Sequence, residues 1–286
     1  MNWDYTPSAA VFHITAIISV GIILLLSRRR SVPGTDTLIL LMCAVAEWSF
    51  AAGMEAAMVG LAQKILWSKI EYLGAIAAPT LFMIFTLEYR QMTRFLTSRF
   101  LLLYSVVPMA AIIVTVTNDW HGLIWNSFTY SLTEPNLLIY GHGIGYYVLI
   151  AHDYAIVLLG MGVMVKAWFL SKRPYRRQIT IILFSAIFPI FSGLAYTLRL
   201  DFFPGLDITP ISFLITGLIL AVGVIQFGLF GPAPIARHLL IENMDDGILV
   251  LDAKDRIVDL NPMAESIIAA SAASVLGQPI SEVLAS

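Results

Sequence analysis

Seven apolar runs, each about as long as a membrane-crossing helix, fill most of this 286-residue chain: Ser8–Ser27, Thr37–Val59, Ile65–Tyr89, Phe100–Thr117, Tyr146–Leu170, Gln178–Leu200 and Ile208–Phe230. At about 1.5 Å rise per residue, roughly 17 to 25 residues cross the ~30 Å hydrocarbon core. Inside lipid the backbone must satisfy its own hydrogen bonds, so such runs form helices. The chain is therefore expected to be an all-α membrane protein built as a seven-transmembrane-helix bundle. Composition agrees, with 58% hydrophobic and 13% charged residues against about a quarter charged in soluble domains. A net charge of −2 gives no electrostatic footprint for nucleic acid. The first residues, Met-Asn-Trp-Asp-Tyr, lack the basic start of a signal peptide, so the first run is expected to be a retained helix.

Arg28, Arg29 and Arg30 follow the first run, Arg90, Arg94 and Arg99 lie between the third and fourth, and Lys166, Lys172, Arg173, Arg176 and Arg177 surround the turn after the fifth. The other ends carry Lys64, Lys69 and Arg199. The positive-inside rule then puts the N-terminus outside and the C-terminus in the cytoplasm. The longest external connection, Asn118 to Gly145, is rich in aromatic residues and histidine. Turn signals at Thr117-Asn118-Asp119 and Glu134-Pro135-Asn136 predict a small hairpin over the bundle. It reads either as an interfacial aromatic belt or as a lid with His121, Trp125 and His142 as its candidate residues.

A charge in hydrocarbon costs at least about 2.5 to 3.5 kcal/mol, so intramembrane ionisable groups face a protein interior and have partners. The third run carries Lys69 and Glu71, beside Trp67 and Tyr72, with Pro79 in its middle. The second carries Glu47 and Glu55, the fifth His152, Asp153 and Tyr154. In the sixth, Ser185, Pro189, Ser192, Tyr196 and Arg199 make one stripe at helical spacing. Candidate ligand-binding residues are thus Glu47, Glu55, Trp67, Glu71, Tyr72, Asp153, Tyr154, Tyr196 and Arg199. Three readings stay open: Arg199 pairs with Asp153 or Glu71 and the stripes only join helices, they enclose a ligand pocket of mixed charge, or they line an ion or proton path. Lys69 reads as an interfacial anchor, and lone His13 as a satisfied packing residue.

Several chemistries are excluded by the residues. The seventh run has no lysine for a retinal Schiff base, and no His-Glu-x-x-His, Gly-x-Ser-x-Gly or nucleotide-binding glycine loop occurs. No catalytic residue, metal site or cofactor is expected. After Gly228-Leu-Phe-Gly-Pro-Ala-Pro the pattern becomes that of a soluble α/β segment: a strand over Gly247–Asp252, a turn at Ala253-Lys254-Asp255, a partner strand Arg256–Leu260, then Asn261 capping a helix with Pro262 at its first position. Domains are expected at 1–231 for the bundle, 232–240 for a linker, and 241–286 for the start of a domain too short to bury a full core.

Glu47-Trp48 with Glu55, Leu66-Trp-Ser-Lys-Ile-Glu-Tyr-Leu-Gly74 with Pro79 and Tyr89, and Pro234-Ile-Ala-Arg237 resemble the N-terminal seven-helix sensor region of bacterial membrane histidine kinases. The segment Glu242-Asn-Met-Asp-Asp-Gly-Ile-Leu-Val-Leu-Asp252, with Arg256-Ile-Val-Asp-Leu-Asn-Pro262 and Leu276-Gly277-Gln-Pro279, is similar to the opening of a PAS domain. The resemblance implies a multi-pass receptor in the bacterial cytoplasmic (inner) membrane, in contact with membrane lipids. It would sense a small-molecule or membrane ligand and relay a helix displacement through Pro79, Pro189, Gln226, Pro234 and Arg237. It further implies a homodimer in the full-length protein, a downstream kinase or response-regulator partner, and no haem or flavin in this chain. A small transporter or channel with a regulatory soluble tail is the alternative, and a bare membrane anchor is a third reading.

Overall fold

A computed structural model describes residues 3–28, 30, 34–132, 136–171, 173–200, 205–226 and 244–283, with the side chains of 173, 174, 226 and 273 left out. The chain divides into two compact units, Met1–Phe230 and Gly231–Ser286. In the first, six helices are long and apolar enough to cross a membrane: α1 (Pro7–Ser27), α2 (Thr35–Ala57), α3 (Leu61–Tyr89), α4 (Ser98–Val116), α6 (Ile144–Leu170) and α7 (Arg173–Thr197). The last apolar helix, α8 (Thr209–Gln226), is shorter. Between α4 and α6 lie a one-turn helix α5 (Asn118–His121) and the strands β1 (Trp125–Tyr130) and β2 (Leu138–His142).

Local chemistry starts the first helix: Pro7 occupies its first turn and Thr6 Oγ1 accepts from the Ala9 amide at 3.2 Å. α2 is the most buried helix, packed by α1, α3 and α8. The α2–α3 approach is set by Gly74, where a Cβ would land on the Ala44 carbonyl oxygen and 2.8 Å from Trp48 Cβ. The main apolar core joins Leu41, Met42, Val45 and Trp48 to Phe82, Phe85, Met164, Ile182, Phe213 and Leu220. α4 stands apart, burying only Ala111 and Thr115.

Two helix boundaries differ from the sequence expectation in ways that move charges. The third span begins at Leu61 rather than Ile65, so Lys64 belongs to a helix and not to a loop. The sixth ends at Thr197 instead of continuing to Leu200. Arg199 takes a left-handed conformation (φ 53°), with Arg199 N–H bonded to Tyr196 O and Leu200 N–H to Ala195 O, which is the Schellman closure of a helix. The stripe through Ser185 and Tyr196 therefore stops before Arg199.

The second unit, described from Met244, holds the antiparallel pair β3 (Leu249–Leu251) and β4 (Ile257–Leu260), then a helix over Pro262–Ile268 and two one-turn helices. Asp252 Oδ1 closes the hairpin by accepting from the Lys254 and Arg256 amides at 2.8 and 3.0 Å. These bonds hold the exposed Asp252 carboxyl below its ordinary range. Asn261 caps the helix as its sequence position predicts, accepting from Ala264 N at 2.9 Å and Ile248 N at 2.8 Å while donating to Asp246 O.

Candidate functional site

A cavity of about 170 Å³ lies in the hairpin end of the bundle, walled by α1, α2, α3, α6, α7, α8, the segment Gly205–Asp207 and the β-hairpin. Its volume is comparable with the ~150 Å³ apolar cavity known to take a benzene-sized guest. Its walls are largely apolar or aromatic, with Trp48, Ile76, Val157 and Phe213 among them. Four carboxyl-bearing residues also reach it: Glu55, Glu71, Asp153 and Asp207. Of the sequence candidates, Glu55, Tyr72, Glu71, Asp153, Tyr154 and Tyr196 line it, as do Trp125 and both Pro79 and Pro189.

Each carboxyl has a different environment. Glu55 accepts from Lys64 Nζ at 3.4 Å and from Tyr140 Oη at 3.0 Å, and Lys64 Nζ also donates to the Glu55 carbonyl at 2.8 Å. Lys64 has no exposed surface. Tyr140 Oη in turn shares a hydrogen bond with Ser68 Oγ, so α2, α3 and β2 meet in one network. Asp153 contacts the ring of His152 at 3.0 Å. Asp207 accepts from the Thr209 amide at 2.9 Å at the start of α8, and burial raises its carboxyl above the ordinary range against those bonds. Glu71, half-buried, lines the cavity and makes no hydrogen bond or ion pair among the described residues.

The hairpin expected over the bundle is present, with Phe128 paired to Tyr140 and Tyr130 to Leu138. Asn118 pins its start: the side chain accepts from the Ile124 and Trp125 amides at 2.8 and 3.1 Å and donates to Trp125 O at 2.9 Å. A bulge after Trp125 accompanies its buried indole, which meets Tyr72 edge-on at 5.2 Å and Tyr140 at 5.4 Å. Asn136 Nδ2 donates to Ala56 O at 3.0 Å and Tyr130 Oη to Val59 O at 3.3 Å, fastening the hairpin to the end of α2 and the turn after it.

Other candidates lie elsewhere. Arg199 is exposed beyond the end of α7 and pairs with neither Asp153 nor Glu71, because the helix closes before it. Glu47 sits in a shallow groove between α2 and α3 against Gly74, away from the cavity. Trp67 packs edge-on against Phe50 at 5.9 Å. His121 is exposed and bonds Thr117 Oγ1 and the Leu123 amide, so it braces its own turn. His142 stacks on Tyr146 at 3.6 Å without lining the cavity, and neither ring nitrogen has a partner among the described residues. Burial, and behind it the Arg199 guanidinium, lowers its imidazole to about 4. Lys69 reaches Asp119 at 2.7 Å and Val116 O at 3.0 Å, tying α3 to α5. His13, as expected, is satisfied by packing, bonded to Tyr5 Oη at 3.2 Å.

Lys64, Ser68, Tyr140, Tyr146 and Asp207 are site residues that the sequence candidates leave out. The spacing of Lys64, Ser68 and Glu71, four then three residues, would have placed the first two on the Glu71 face had α3 been started after Gly60. Asp207, two residues before Thr209 and three before Pro210, carries a recognisable helix-start signal. Of the relay candidates, Gln226 ends α8, whereas Pro234 and Arg237 lie outside the described residues. Pro189 has a visible consequence. The Ser185 carbonyl four residues before it, which a proline ring cannot bond, accepts from Thr216 Oγ1 of α8 at 2.7 Å.

Residues 11–234 match the family described as the N-terminal 7TM region of histidine kinase, and residues 236–286 match the PAS fold. Comparison with curated proteins returns no match. The first match covers most of the chain and takes in every helix of the bundle but the first turn of α1. This multi-pass membrane protein, with its cavity and its C-terminal PAS segment, belongs to the family of N-terminal seven-transmembrane sensor regions of histidine kinases.

Proposed function

We propose that the cavity is the receiving site of this sensor region and that α7 and α8 carry its state toward the PAS segment. The observation that carries this reading is that one cavity is walled by two helices with an internal proline, α3 at Pro79 and α7 at Pro189, and by the start of α8 at Thr209 and Phe213. A ligand that fits one arrangement of these helices better than another shifts their equilibrium by its differential affinity, and a ligand with equal affinity shifts nothing. The Ser185 carbonyl freed by Pro189 is held by Thr216, so a change at the proline is felt by α8.

The arginine-rich turns support an orientation with the hairpin and N-terminus outside and the PAS segment in the cytoplasm, in a bacterial inner membrane. The signal then comes from the outside or from the outer leaflet. In the full-length protein the output is a kinase that acts as a homodimer with a response-regulator partner. The bundle is the input module rather than a transport path.

The test is a cavity-filling substitution, Gly193→Leu, made in the full-length protein, with autophosphorylation measured in membranes. Gly193 borders the cavity, and a Cβ there would lie 3.1 Å from Tyr154 Oη. The expected outcome is kinase output locked at one level with expression unchanged. Output that still follows the stimulus of the unmodified protein would refute the cavity as the receiving site, and solute flux in liposomes would favour the transporter reading instead.

A further inference from the structure

We infer that the cavity selects a small organic cation, an ammonium group on a compact apolar body. This rests on the cavity being the receiving site and adds the class of its ligand. The first argument is the charge inventory. Glu55 already holds the buried Lys64, and Asp153 has the His152 ring beside it. Glu71 and Asp207 reach the same cavity without a cation of their own among the described residues. Glu71 is the sharper case, a half-buried carboxyl on the cavity wall with no hydrogen bond and no ion pair among the described residues. A carboxylate facing a largely apolar cavity without a charged partner is costly, and a cationic guest supplies the missing charge.

The second argument is the wall. Trp125, Tyr72, Tyr146 and Tyr196 all border the cavity, and aromatic faces attract cations, quaternary ammonium groups in particular. Their rings contribute apolar area as well, which an inorganic ion would waste. A metal ion fits poorly for another reason: among the described residues no three His, Cys, Asp or Glu side chains come close enough to hold one. An anion would face Glu71 and Asp207 with Lys64 already bonded to Glu55.

The experiment uses the complete chain in nanodiscs, with calorimetric titration and thermal unfolding as readouts. Choline is the probe, 3,3-dimethylbutan-1-ol its uncharged isostere and 3,3-dimethylbutanoate the anionic control. Saturable choline binding, at least about tenfold tighter than the alcohol and weakened at least about tenfold by both Glu71→Gln and Asp207→Asn, is the expected result. Two separate variants guard against one that fails to fold, and unfolding curves without ligand identify such a case. Binding of the alcohol or the acid as tight as that of choline, abolished by Gly193→Leu, overturns the cation class while keeping the cavity as a site. Choline binding unaffected by both carboxyl variants, or no binding of any probe, overturns the inference. The reading of the cavity as a receiving site stands or falls separately, on the Gly193→Leu kinase measurement.

Discussion

Lys64 and Glu55 grip each other twice, through a 3.4 Å ion pair and through a 2.8 Å bond from Lys64 Nζ to the Glu55 main-chain carbonyl, with no part of the lysine exposed. Removing one member of a buried pair strands the other's charge, at a cost of about 3 to 5 kcal/mol. Lys64→Met is expected to lower the stability of the bundle by that order. The double variant Lys64→Met with Glu55→Gln should recover most of it. Denaturant unfolding in detergent micelles measures both, and equal losses in the single and double variants would contradict the assignment.

Tyr140 donates to Glu55 Oε1 at 3.0 Å and shares a hydrogen bond with Ser68. Tyr140→Phe keeps the ring and its contacts with Trp125 and Phe128 but removes the hydroxyl. A hydrogen bond to a charged group contributes about 1.5 to 3 kcal/mol, and a loss in that range is expected. Faster amide exchange over Trp125–Tyr130 should accompany it.

The apolar runs made the helices legible because length and hydropathy alone decide what crosses a membrane. The aromatic connection between Asn118 and Gly145 was legible as a hairpin because Asn118 marks its start and Glu134-Pro135-Asn136 the turn between its strands. What could not be read was which charge goes where, since that depends on helix ends resolved to a single turn. Starting α3 four residues late turned Lys64 into a loop residue, and extending the sixth span by three put Arg199 on a face it never reaches. Glu47 shows the same limit in rotation, because two carboxyls eight residues apart share a face only loosely: Glu55 points to the cavity and Glu47 to the α2–α3 groove.

Gly74→Ala is expected to be costly out of proportion to its size. Its Cβ would meet the Ala44 backbone, which cannot yield as a flexible side chain does. Overpacking of this kind costs about 1 to 3 kcal/mol. Gly21→Ala, where nothing lies within 4 Å, should be neutral or stabilising by roughly 0.5 to 1 kcal/mol, as a mid-helix glycine replaced by alanine usually is. Thermal unfolding of the two variants side by side gives the comparison.

His142 makes the stability of the hairpin pH-dependent. Its imidazole is lowered to about 4 from the ordinary 6.5, so the unfolded chain takes up a proton before the folded one does. The contribution is fully present above about pH 6.5 and is lost as pH falls toward about 4. Melting temperature should therefore drop between pH 7 and 5, and His142→Phe, which preserves stacking on Tyr146, should flatten that drop.

Asn261→Ala tests the second unit alone. It removes the helix cap and the bonds to Ile248 and Asp246 together. Caps contribute about 0.5 to 2 kcal/mol, and the loss should lie at or above the upper end. Proteolysis within 244–283 should rise while the bundle stays intact.

The bond from Thr216 to the Ser185 carbonyl limits how α8 can travel. Thr216 also bonds Ser212 O at 3.1 Å, so its hydroxyl is held within its own helix while it reaches across to α7. Sliding α8 along its axis by a full helical turn, about 5.4 Å, would pull that hydroxyl off the carbonyl and leave a backbone oxygen bare in hydrocarbon. Rocking about the same point keeps the bond. The proline of one helix thus gives the next an anchor, one carbonyl of α7 held by one hydroxyl of α8.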